Sequence, residues 1–167
     1  MTTHNEDRSV VLLENRTVFE PKDSRTTLHH PFCVPQGLVE LHVYTTYTPK
    51  YFEDRERSEE LVRQCARVYD LGEDQPDEAL LKEALSLSNL VVFSLDRNGE
   101  YWGAAHRHAP EQHILLSENS ATYGFRRGAI VPGTWRASIN VFVVLTDTCT
   151  YDLRIVGVKA PEERPAP

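Results

Sequence analysis

The sequence predicts a mainly β protein: an antiparallel β-sandwich or jelly roll with a two-helix insertion at about residues 53–87. Short runs rich in β-branched and aromatic residues recur along the chain, and Gly, Pro and Asn turns separate them. Helical periodicity is confined to one central stretch. Alternating βα units, the mark of a doubly wound α/β fold, do not occur.

A first strand is expected over 10–20, opening on Val10-Val11-Leu12-Leu13 and broken by Pro21 to Thr26. The run over 38–47 is led in by Pro35 and Gly37 and closed by Thr48-Pro49, which makes a second strand. Residues 53–60 mix charges of both signs, as a solvated helix face with i,i+4 pairs does. Leu61, Val62, Cys65, Val68 and Tyr69 fall on one helical face, and Gly72 suits its C-terminal end. A second helix fits 76–87, with Asp77 and Glu78 in its first turn. After Asn89 the pattern returns to strands. Those over 90–95 and 100–107 flank the hairpin signal Asp96-Arg97-Asn98-Gly99, and three more fit 112–117, 134–145 and 150–158.

The 167 residues fit a single domain over 1–158, followed by a disordered Pro-rich tail or linker at 159–167. Eighteen basic and 25 acidic residues give a formal charge of −7 with no basic stripe, which argues against nucleic acid as a partner. No run has the length of a membrane span, and the polar start lacks the apolar core of a secretory signal. Cys33, Cys65 and Cys149 are odd in number and lack metal-ligand spacing, so they read as buried or half-buried thiols of a cytoplasmic protein.

Several segments share a pattern: Pro31 to Gly37, Asn89 to Asp96, Gly103 to His108, Ser117 to Phe125, Gly128 to Trp135 and Tyr151 to Val156. Its most specific piece is the glycine-spaced run from Ala121-Thr122 through Gly124, Gly128 and Gly133 to Trp135. Over most of residues 30–157 the chain resembles the N-terminal β-sandwich domain that precedes the metal-dependent PHP-type phosphoesterases, the group with the carbaryl- and carbofuran-type ester hydrolases. In that family the chemistry belongs to a following barrel with His and Asp metal ligands. The resemblance therefore implies a non-catalytic accessory or binding domain, acting on a hydrolase partner or on itself. On the residues alone, Gly124, Gly128 and Gly133 suit positive φ, and Trp135 suits a plug at one end of the core.

Two other readings compete. His106 and His108, two apart on an expected strand, would share a face, and Glu111 or His113 would add a third ligand for a divalent transition metal. That is part of a cupin-like metal enzyme. Trp135 and Arg136 stand where its second histidine motif would fall. Adjacent His29 and His30 offer at most one substitute, because neighbours on a strand face opposite ways. The remaining reading is a carbohydrate or small-ligand module using Tyr101, Trp102 and Tyr123 as exposed aromatics. No residue set completes a catalytic constellation, so no cofactor and no enzymatic activity are expected.

Overall fold

Alternation of burial along each strand fixes the architecture. The computed structural model describes residues 8–68, 86–105 and 108–161. Its strands are β1 (Ser9–Phe19), β2 (Thr26–Val34), β3 (Leu38–Thr48), β4 (Leu90–Arg97), β5 (Glu100–Ala104), β6 (Glu111–Ser117), β7 (Gly133–Val143) and β8 (Cys149–Lys159). They pair antiparallel into two four-stranded sheets, ordered β1-β8-β3-β6 and β2-β7-β4-β5. On β8, Tyr151, Leu153 and Ile155 are buried; on β3, Leu41, Val43 and Tyr47; on β7, Trp135, Ala137, Ile139 and Val141. Thr45 is buried with the β3 set, and the alternate residues Tyr44, Thr46, Asp152, Arg154 and Arg136 stand on the opposite faces. The buried faces of both sheets feed one apolar cluster. Each fully buried Leu, Ile or Phe stabilises it by roughly 1.5–3 kcal/mol relative to exposure.

The Asn98-Gly99 turn has φ of 48° and 83°, the pair of positive values that a two-residue hairpin needs, and it joins β4 to β5 as expected. In the glycine-spaced run, Gly124 and Gly133 have positive φ. Gly128 does something else: a Cβ there would press 3.1 Å from the Trp102 ring, so its small size seats that indole. Trp135 is fully buried, packs on Trp102 at 4.7 Å between ring centroids, and donates its indole N–H to Val131 O at 3.0 Å.

Four expectations need correction. β2 was not expected, because Pro31 and two histidines interrupt its apolar pattern. It forms at a sheet edge, where a missing N–H on the open side loses no ladder bond. The strand expected over 100–107 ends at Ala104; the Ala105 N–H still reaches Phe93 O at 2.9 Å, and His108 lies outside any strand. Cys33 and Cys65 are exposed and only Cys149 is buried, all three as free thiols.

The fourth concerns the insertion, which has one α-helix among the described residues, α1 (Arg55–Val68). The other expected helix lies outside the described residues except for Ser86 and Leu87, which are not helical. The side chain of Asp54 caps α1 by accepting from Arg57 N–H at 3.0 Å, and Glu59 pairs with Arg55 and Arg63 one turn away. The expected apolar face is only half-buried at Leu61 and Val62, while Cys65 is exposed; the residue driven in is Ser58, 1% exposed, whose hydroxyl donates to Asp54 O. Of the expected tail, 162–167 lie outside the described residues, while β8 runs on to Lys159. No described helix is long and apolar enough to cross a membrane.

The loops at one end of the two sheets converge on Asn89, which is fully buried. Its amide nitrogen donates to Pro49 O at 2.9 Å and to Thr146 Oγ1 at 2.7 Å, and its side-chain oxygen accepts from Leu145 N–H at 2.7 Å. Its backbone carbonyl accepts from Lys50 Nζ at 3.1 Å. One amide thus ties the connection after β3 to the connection after β7. Replacing Asn89 by Ala takes away the partner of the part-buried Pro49 carbonyl and Leu145 N–H, and we expect a loss of about 3 kcal/mol. The denaturant midpoint would fall at unchanged slope; an unchanged midpoint would remove Asn89 from this role.

Candidate functional site

The outward face of the β1-β8-β3-β6 sheet brings polar and aromatic groups together in rows. The ladder places residues in rows across the four strands. One row reads Glu14, Arg154, Tyr44, His113; the next reads Arg16, Asp152, Thr46, Glu111. Residues 42 and 115 occupy the row on the other side. A surface groove of about 460 Å³ runs beside Tyr44, lined by Glu14, Arg16, Thr46, Asp152 and Arg154.

Tyr44, 44% exposed, stacks on its cross-strand partner His113 with ring centroids 4.5 Å apart and planes 2° from parallel. In strand order His113 stands on the β6 side of Tyr44 and Arg154 on the β8 side. The imidazole therefore backs one face of the phenol ring, and the other face is a wall of the groove. Opposite, Arg16 makes a two-pronged pair with Asp152, at 2.8 and 3.0 Å. Among the described residues Arg154 and Glu14 have no hydrogen-bond or ion-pair partner, although they face each other in the ladder.

Behind the stack lies an imidazole pair. His42 Nδ1 is 2.8 Å from His113 Nε2, and His42 Nε2 is 3.2 Å from Glu40 Oε2. A carboxylate only accepts, so a neutral His42 carries its single proton on Nε2. Its Nδ1 is then the acceptor, and the His113 Nε2–H donates to it. The ring centroids, 5.1 Å apart with planes 14° from parallel, fit this end-to-end contact. Glu40 and His113 reach opposite nitrogens of His42, so the three do not converge on one point where a metal would sit.

Of the four expected metal ligands, His108, Glu111 and His113 are described. His106 lies outside the described residues. His108 is exposed in the loop after β5, with its carbonyl accepting from Tyr47 OH at 3.3 Å. Glu111 and His113 share the outward face of β6, but His113 is committed to His42 and Tyr44. No cluster of three or more His, Cys, Asp and Glu side chains able to hold a metal occurs among the described residues. Of the expected binding aromatics, Tyr101 and Tyr123 are exposed, at 56% and 78%. Trp102 is 5% exposed and belongs to the core, because the inward positions of β5 face β7 and the glycine-spaced loop.

Two further clusters resemble chemistry and are better explained by structure. His29 Nδ1 is 2.9 Å from Ser138 Oγ, but Ser138 is only 3% exposed, too enclosed for a substrate to reach. Lys50 Nζ donates to Tyr47 OH at 2.7 Å beside the Asn89 hub. Burial pushes the Tyr47 phenol up to about 12, with Cys149 and Tyr51 adding to it, and burial also lowers the Lys50 ammonium. Both side chains close the end of the core.

Partial desolvation first, and then the neighbouring His42, hold the His113 imidazolium below its ordinary value of 6.5. The unfolded chain therefore takes up this proton first as pH falls. The stability that neutral His113 contributes is fully present above about pH 6.5 and is lost as pH falls through its folded value. A histidine-resolved NMR titration should find His113 below 6.5, and His42→Ala should move it upward without fully restoring it. A value at or above 6.5 in the parent would contradict the pair. No family model matches the chain, and no curated protein matches it either.

Proposed function

We propose that this protein is a non-catalytic recognition domain of jelly-roll type, the role implied by its resemblance to the sandwich ahead of PHP-type phosphoesterases. The strand orders 1-8-3-6 and 2-7-4-5 support the jelly-roll reading, since each sheet interleaves early and late strands as two wound Greek keys do. Three free cysteines suit a reducing compartment such as the cytoplasm.

The observation that carries the proposal is the groove beside Tyr44. The inward face of its sheet is consumed by the core, while the outward face presents a backed aromatic wall and, beside it, a guanidinium and a carboxylate, those of Arg154 and Glu14, that have no partner among the described residues. Those groups bind rather than react: no nucleophile is hydrogen-bonded to the imidazole pair among the described residues. A hydrolase partner or a second copy is the macromolecular context that the family resemblance adds.

A small-fragment screen on isotope-labelled protein tests the location. Hits should cluster on backbone amides of the rows through Tyr44 and Thr46, and Tyr44→Ala should abolish most of them while leaving the fold intact. Hits spread evenly over the molecule, or insensitive to Tyr44→Ala, would remove the groove from function.

A further inference from the structure

We infer that the groove beside Tyr44 takes a neutral pyranose ring of a saccharide; this rests on the recognition reading above and names its ligand. The groove's size, about 460 Å³, falls in the range of small-ligand sites, on the order of 300–1,000 Å³. Its charged lining is balanced, with Glu14 and Asp152 against Arg16 and Arg154. A carboxylate or phosphate ligand would meet two acids, and a cationic one would meet two guanidinium groups. A sugar hydroxyl is donor and acceptor at once, and it suits a surface that offers both.

The pairing pattern sharpens this. Arg16 and Asp152 already satisfy each other in a two-pronged pair along one side of the groove. Arg154 and Glu14 are left unpartnered among the described residues, so a vicinal diol can accept from one and donate to the other without breaking an existing bond. Between them and β6 stands the Tyr44 ring, its far face backed by His113. An upright aromatic wall matches the C–H face of a pyranose, and the backing holds the ring in place before the ligand arrives. His113, held neutral above its lowered value, adds no cation there at neutral pH.

The test is a titration of the full chain, followed by amide NMR, with neutral methyl hexopyranosides and short neutral oligosaccharides, beside glucuronate and glucosamine. Shifts should appear at Glu14, Tyr44, Thr46 and Arg154 with the neutral sugars. Tyr44→Ala and Arg154→Ala should each weaken binding about tenfold, whereas Tyr44→Phe keeps it, since the ring rather than the hydroxyl makes the wall. Raised salt should leave the affinity nearly unchanged. Shifts in these rows with glucuronate or glucosamine alone would overturn the neutral-sugar assignment and leave the recognition reading standing. Saccharide binding that maps elsewhere, or that survives Tyr44→Ala, would overturn the assignment and the site together. No shift with any sugar, while fragments still gather at Tyr44, would overturn the saccharide alone.

Discussion

Everything presented on the outward sheet face is set by the commitment of the inward face to the core. Leu41, Val43 and Tyr47 on β3, and Tyr151, Leu153 and Ile155 on β8, are each 4% exposed or less. With a side-chain period of two, a one-residue slip would drive Tyr44 and Arg154 inward and expose the apolar set. The register is therefore defended by the burial of several large side chains at once, worth on the order of 10 kcal/mol in total at roughly 1.5–3 kcal/mol each. The rows that bring Glu14, Arg154, Tyr44 and His113 together inherit that rigidity without contributing much to it.

The same logic separates the two kinds of polar group in this protein. Asn89 is buried where loops end and strands cannot satisfy their own connections, and all of its side-chain hydrogen-bonding capacity goes to backbone groups and Thr146. Removing it would leave those groups stranded, so its role is structural. Arg154 and Glu14 are the opposite case: exposed, adjacent and unpaired among the described residues, they cost the fold little and remain available. Between these extremes lies the Glu40–His42–His113 chain. Its hydrogen bonds choose one tautomer for each imidazole and hold the ring that backs Tyr44.

Much of the fold is legible in local sequence, because strand alternation and hairpin chemistry are local. The Asn98-Gly99 turn and the runs that became β3, β4, β7 and β8 are examples. β2 is not legible, since a proline within a strand is tolerated only at an edge, and being an edge is a property of the whole sheet. The buried Ser58 of α1 is hidden for a similar reason. Helical periodicity marks Leu61, Val62 and Cys65, but which turn of the helix is buried depends on where the chain leaves β3.

The site is less legible still, and the reason is sequence distance. His106, His108 and His113 attract notice because they are close along the chain, and proximity in sequence is a poor guide to proximity on a sheet. The contact that matters joins His113 to His42, 71 residues away, through the pairing of β3 with β6. Trp102 shows the converse error: beside exposed Tyr101, it points the other way into the core. Aromatic and charged residues at alternate positions of a strand announce an outward face. Only the ladder register says which of them become neighbours, and with Tyr44 between Arg154 and His113 that register turns scattered polar residues into a walled groove.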